Sequence, residues 1–286
     1  MKRYKDIAGD GGSNIVEQVQ EQQARLGRRL AGVRHVMAVL SGKGGVGKSS
    51  LSGLLAECFA LEGWRVGVLD ADLNGPSMAK ILGVRGAKLV LAGGAVVPPR
   101  SALGIKVMSM DLLLPSDVAP LTWDAPTQQE AHTWRATTEA NALREFLADT
   151  DWGELDLLVL DLPPGTDRLA TVLALVPRLS GAVIVTIPSD LAQLVVKRSI
   201  TAVRQAGARV LGLVENMAGL FPGPDVEAMA RDSGVTFCGR VPFDPHLAEA
   251  ADMGQSFVSR FPDRPAARAV GQVAQVLREA LKPSFG

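Results

Sequence analysis

Short apolar runs alternate with longer, periodically apolar stretches along most of the chain. His35 to Ser41 (HVMAVLS), Arg65 to Asp70 (RVGVLD), Leu155 to Asp161 (LDLLVLD), Gly181 to Ile187 (GAVIVTI) and Arg209 to Glu215 (RVLGLVE) are nearly continuous in apolar residues. That is the pattern of parallel strands buried on both faces. Ile105 to Met110 (IKVMSM) and Val235 to Gly239 (VTFCG) predict two shorter strands. Between strands, Lys48 to Leu61 sets Leu51, Leu54, Leu55 and Phe59 on one helical face, the 3.6-residue period of an amphipathic helix. Ser13 to Arg29 has helix formers but few apolar positions, which predicts a loosely packed surface arm. The Gly/Pro-rich Leu91 to Arg100 predicts a hairpin or loop. Alternating strands and helices predict an α/β fold, a doubly wound, mostly parallel sheet flanked by helices, with chemistry at the carboxyl ends of the strands. We divide the chain into a helical arm over residues 1–32 and one domain over 33–286.

Composition narrows the function classes. Of 286 residues, 47% are hydrophobic, and 30 Lys plus Arg balance 30 Asp plus Glu. This excludes a disordered chain and removes the basic excess expected of a protein held mainly by nucleic-acid phosphates. No apolar run reaches the length of a membrane span, and the N-terminal MKRYKDIAGDGG has no signal-peptide core. The expected location is the cytoplasm, with neither membrane nor nucleic acid as partner. The two cysteines, Cys58 and Cys238, are far apart in sequence and form no CxxC pair.

Gly42-Lys43-Gly44-Gly45-Val46-Gly47-Lys48-Ser49 fits G-x-x-x-x-G-K-[ST], between an apolar strand and a helix. Glycines let backbone N–H groups close around phosphate oxygens, the helix N-terminus adds positive potential, and Lys48 reaches the terminal phosphates. Ser49 would hold Mg²⁺ through its hydroxyl. The same letters contain Gly42-x-Gly44-x-x-Gly47, a dinucleotide fingerprint, and Asp70 ends the next strand where a ribose-binding acid would sit. Lys48-Ser49 and a second acidic strand end, Val159 to Gly165 (VLDLPPG), favour the nucleoside-triphosphate reading.

The stretch Ser41 to Ser50 (SGKGGVGKSS) resembles the deviant Walker A motif of the MinD, ParA and nitrogenase iron-protein superfamily. Asp70 to Ser77 (DADLNGPS), Trp152 to Asp167, Gly212 to Met217 (GLVENM) and Val241 to Pro245 (VPFDP) are similar to its Mrp (ApbC-like) branch, the ATPases that carry iron–sulfur clusters to apoproteins. The resemblance implies a slow Mg-dependent ATPase that closes as a homodimer over ATP. It assigns Lys43 to the partner's nucleotide, Asp72 to the attacking water, Asp70 to bracing, and Ser49 with Asp161 to Mg²⁺. Gly165 would sense the γ-phosphate, Asn216 would read the adenine edge and Pro242 would cover the base, while Gly42 to Ser50 cradle the phosphates.

The family's CxxC, ligand of a [4Fe-4S] cluster shared between subunits, falls here on Pro222 and Asp225, and neither replaces a thiolate. Cys238 is the remaining candidate ligand; Cys58 reads as a buried apolar residue, and His35, His132 and His246 have no ligand spacing. Trp123-Asp124-Ala125-Pro126 replaces the family's Trp-Arg-Gly-Pro, a long polar stretch (127–140) follows it, and Pro163 to Arg168 lacks the second glycine that commonly precedes the aspartate. The functions in play are an ATP-driven cluster carrier serving iron–sulfur apoproteins or a scaffold, and a metal-independent nucleotide-switched regulator. A MinD- or ParA-like positioning ATPase is disfavoured, because Pro265 to Leu281 lacks the large apolar residues and lysines of a membrane-inserting helix.

Overall fold

A computed structural model of the protein describes residues 15–113, 131–166, 169–176 and 178–282. Its elements are α1 (Ile15–Leu30), β1 (Val33–Ser41), α2 (Lys48–Leu61), β2 (Val66–Asp70), α3 (Met78–Ile81), β3 (Val90–Ala92), β4 (Ala95–Val97) and β5 (Lys106–Met108). After these come α4 (Ala131–Asp149), β6 (Leu155–Asp161), α5 (Leu169–Leu175), β7 (Gly181–Thr186), α6 (Asp190–Gln205) and β8 (Val210–Ala218). The chain closes with α7 (Val226–Asp232), β9 (Phe237–Pro242), α8 (His246–Asp252), α9 (Phe257–Arg260) and α10 (Pro265–Leu281).

Seven strands form one sheet in the order β5-β2-β6-β1-β7-β8-β9, every pairing parallel. The Gly/Pro-rich stretch is a separate antiparallel hairpin of β3 and β4. Both faces of the sheet are covered. On one, Met37, Val39, Val68, Leu157, Val159 and Val183 pack with α2 and α10. On the other, Val36, Ala38, Leu40, Leu158, Leu160 and Ile184 pack with helices that include α4 and α6. Alternate residues of one strand face opposite layers, so a central strand buried twice reads as an unbroken apolar run. The crossover from β6 on one side of β1 to β7 on the other makes the end of β1 a topological switch point, where ligands of open α/β sheets bind.

Three expectations are adjusted. β5 stops at Met108, because the Ser109 hydroxyl turns inward to Asp70 and accepts the Asp111 N–H, opening a 3₁₀ turn over Met110–Leu112. The last strand starts at Phe237, since Val235 N–H is used on Ala230 O to close α7. The arm packs more firmly than its sparse apolar positions suggested: Leu26 is buried in a cluster with Leu143 and Leu147 of α4, and Arg25 pairs with Asp149 at 3.1 Å. Residues 1–14, Trp123 to Pro126, the first part of the polar stretch (127–130) and Asp167-Arg168 lie outside the described residues; the rest of that stretch belongs to α4.

Candidate nucleotide site

β1 ends at Ser41, whose hydroxyl donates to Lys43 O (2.9 Å) and starts the turn into α2. Two glycines are demanded by space and backbone. A Cβ on Gly42 would stand 1.8 Å from Val195 Cγ1. Gly47 has φ 74°, and a Cβ there would meet Asn216 Nδ2 at 2.3 Å. Gly47 is also the N-cap of α2, which carries no side-chain cap and no acidic residue in its first turn. Its first N–H groups and their positive potential are therefore left for an external anion.

Asp161, fully buried at the end of β6, organises the floor. Lys48 Nζ lies 2.8 Å from its Oδ1, and the hydroxyls of Ser49 and Ser52 donate to Oδ2 and Oδ1 at 2.6 Å each. Lys48 also donates to Ser49 Oγ at 3.1 Å. With the charge so answered, Lys48 sits only 6% exposed; an unpaired buried ammonium would be far more costly. Ser52 went unnoticed in the sequence, although it follows Ser49 by three positions and so shares its helical face.

Asp70 is in register with Asp161 across β2 and β6. Burial, and then the Asp161 charge, push its carboxyl up to about 7 against the hydrogen bonds it accepts. Its Oδ2 accepts from Ser77 N (2.8 Å), Met78 N (3.0 Å) and Ser109 Oγ, and Oδ1 from Asp72 N. Asp70 thus fixes the loop that carries Asp72. Asp72 itself faces the cleft, its Oδ1 accepting from Gly75 N at 3.2 Å, and Asn74 reaches Glu139 of α4. The cleft, about 310 Å³, is lined by Gly44, Gly45, Gly47, Lys48 to Ser50, Asp72 and Pro164 among others. Gly165 donates to Ser41 O at 2.8 Å, which ties the loop after β6 to the end of β1.

Lys43, Asn216 and Pro242 have these partners within the chain. Lys43 Nζ donates to Ser189 Oγ (3.3 Å), the N-cap of α6 in the same chain. Asn216 Nδ2 donates to Val46 O (2.9 Å) and to Gly47 O (3.4 Å), so its amide braces the backbone of the phosphate loop. Pro242 pairs with Ala218 at the carboxyl ends of β9 and β8, the edge of the sheet on which β1 also ends.

The cluster ligands fit poorly. Cys238 and Cys58 are both buried, their thiols pushed up to about 12, chiefly by burial, and a neutral buried thiol is a poor ligand. Asp225 caps α7 and is held by Arg240 at 2.6 Å. Among the described residues, no group of three or more His, Cys, Asp and Glu could hold a metal. His35 stacks on Trp64, and His246 contacts Asp244 and Phe261.

A family model, ParA: NUBPL iron-transfer P-loop NTPase, matches residues 32–278. An iron-sulfur cluster carrier protein of Saccharolobus solfataricus is 39% identical over 266 residues, covering 89% of this chain and 86% of the relative. The cytosolic Fe-S cluster assembly factor NUBP2 of Homo sapiens is 39% identical, covering 88% and 94%. Among solved structures, the nucleotide-binding protein of Archaeoglobus fulgidus in complex with ADP superposes with TM-score 0.68 at 36% identity, covering 82% of this chain and 92% of that one. The Pyrococcus furiosus cell division ATPase MinD has TM-score 0.62 at 18% identity, covering 86% and 99%, a likeness of fold. The family-model match over residues 32–278 and the 39% identity to a carrier covered to 86% show the family: the chain belongs to the NUBPL-type iron-transfer P-loop NTPases of the ParA family.

Proposed function

We propose that the protein binds Mg-ATP at the Gly42 to Ser50 loop and hydrolyses it slowly, as a cytoplasmic homodimer working in iron–sulfur cluster assembly. We read residues 33–286 as the ATPase domain and 1–32 as an N-terminal arm, of which α1 packs on α4. The observation that carries the reading is the uncapped start of α2, with Lys48, Ser49 and Asp161 converging on it. Lys48 exchanges Asp161 for the terminal phosphates when ATP arrives, because both offer anionic oxygens and the phosphates bring more charge. Ser49 Oγ and the released Asp161 are hard oxygen donors suited to a hydrated Mg²⁺, which when bound offsets charge on the phosphate oxygens. Asp72, presented by the loop that Asp70 fixes, orients the attacking water, and Gly165 follows the γ-phosphate. Lys43 leaves Ser189 to act on the nucleotide of the facing subunit, while Asn216 reads the adenine edge and Pro242 covers the base.

Titration calorimetry tests the reading. Wild type should bind Mg-ATP and Lys48→Ala should not, while circular dichroism shows Lys48→Ala folded. Equal affinity in the two would overturn it.

A second reading is favoured by Asp225, which stands with Pro222 where the family carries its cysteines and is engaged with Arg240. On it, the same ATPase cycle drives a regulator or scaffold that carries no cluster. Anaerobic reconstitution separates the two: iron retained in stoichiometric amount, with the visible absorption of a cluster, supports carriage, and its absence supports the regulator.

A further inference from the structure

Arg240 lies on β9 and bonds three carboxylates. Nε reaches Glu215 Oε2 at 3.0 Å, Nη2 reaches Asp225 Oδ1 at 2.6 Å, and Nη1 reaches Glu227 Oε2 at 3.2 Å, while the guanidinium covers the Phe237 ring at 5.1 Å. The three partners stand on two elements: Glu215 in β8, and Asp225 and Glu227 at the cap and in the first turn of α7. A guanidinium fork can serve several oxygens at once, which an ammonium cannot do with the same geometry.

What makes the position consequential is the neighbour of Glu215. Successive residues of a strand point to opposite faces, so Glu215 and Asn216 turn one to Arg240 and the other to the glycine loop. Asn216 is packed so closely there that Gly47 has no room for a Cβ. The segment after β8 is held at its other side as well. Gly223 sits where a Cβ would meet the Pro188 backbone at 2.5 Å, and the next residue, Ser189, receives Lys43. Leu220 and Phe221, between these anchors, are 45% and 42% exposed.

We propose that Arg240 is a positioning residue that ties residues 219–225 to the phosphate loop through Glu215 and Asn216, so that this segment follows the nucleotide with no metal to hold it. The inference rests on the ATP site proposed above. Ion pairing at Asp225 does here what ligation would otherwise do: it fixes the segment against α7 and β9. When phosphates draw on the N–H groups of the loop, Val46 and Gly47 carry Asn216, β8 carries Glu215, and Arg240 carries Asp225. The half-exposed guanidinium is screened by solvent, so the clamp acts through its three-way geometry more than through any single pair.

Hydrogen exchange on the full chain tests this, reading the amides of Gly219, Leu220, Phe221 and Gly223 with and without a non-hydrolysable Mg-ATP analogue. In wild type the analogue should slow these amides, and treatment of the nucleotide-free protein with a chelator should leave them unchanged. In Arg240→Ala they should exchange about tenfold faster without nucleotide and lose the response to the analogue, reporting local opening. The loop amides of Val46 and Gly47 should still respond. Arg240→Lys, which keeps the charge and loses the fork, should recover part of the protection. A nucleotide response of residues 219–223 unchanged in Arg240→Ala, or a wild-type segment loosened by the chelator, would overturn the proposal. If the analogue fails to bind at all, the ATP reading fails, but the clamp is still decided without nucleotide: Arg240→Ala must then loosen Val46 and Gly47 together with residues 219–223, and unaltered exchange at Val46 and Gly47 would overturn it.

Discussion

At the scale of residues, the site is an arrangement of answered charges. Lys48 is neutralised by Asp161, and Asp161 by two hydroxyls and an ammonium. Removing one member of a buried pair typically costs about 3–5 kcal/mol, so Lys48→Ala loses stability as well as its ligand, and its binding data need the folded control. Asp72 is different, because it is half-buried and its carboxylate accepts from Gly75 of its own loop. Asp72→Ala should therefore bind Mg-ATP with nearly wild-type affinity and lose most of its single-turnover hydrolysis, since water positioning acts in the transition state. Undiminished cleavage by Asp72→Ala would remove it from that role. Ser52 supplies a third residue-scale expectation. Ser52→Ala deletes one of the two hydroxyls on Asp161 and should cost about 1–3 kcal/mol in thermal or denaturant unfolding, and an unchanged midpoint would contradict the buried bond.

At the scale of elements, α2 joins the phosphate site to the packing of the far side of the domain. Its Glu57 is buried against the start of α9, beside Ser256 and the Val258 backbone, and among the described residues its Oε2 has no hydrogen-bond partner. Burial raises this acid from 4.5 to about 7. The folded state therefore binds the proton more tightly than the unfolded one, and the contribution of Glu57 to stability is present below about pH 4.5 and is lost as pH rises to about 7. Glu57→Gln, which stays neutral, should raise the melting temperature by several degrees at pH 8 and leave it nearly unchanged at pH 4.5. Equal shifts at the two pH values would contradict a buried neutral carboxyl.

The elements also show what a sequence discloses. β6 and α2 have the bounds their apolar patterns predicted, because strands buried twice and helices with one apolar face write their burial directly into the residue order. The glycine loop was legible for the same local reason. The firm packing of α1 was not, since it depends on α4, distant in sequence, as its cover. Nor was the placement of Lys43 and Asn216, whose partners Ser189 and Val46 lie 146 and 170 positions away. Arg240 carried no motif at all; only the pairing of β8 with β9 brings it to Glu215.

At the scale of the whole molecule, the central claim is that two copies of this face close over ATP, each supplying Lys43 to the other. Lys43 rests on Ser189 in its own chain, a single ammonium-to-hydroxyl hydrogen bond worth about 1.5–3 kcal/mol, which a nucleotide carrying several negative charges can replace. A cation supplied in trans can accelerate phosphoryl transfer by roughly 10³-fold or more. Lys43→Ala should accordingly bind ATP yet lose both hydrolysis and ATP-induced dimerisation. The most direct measurement mixes Lys43→Ala with Asp72→Ala in equal amounts and follows ATP hydrolysis, with light scattering to establish that mixed dimers form. In such a dimer the Lys43→Ala subunit keeps its own Asp72 and receives Lys43 from its neighbour, so one of the two sites is complete. The account predicts partial activity in the mixture and none in either variant alone. Mixed dimers that form with ATP and remain inactive would contradict it.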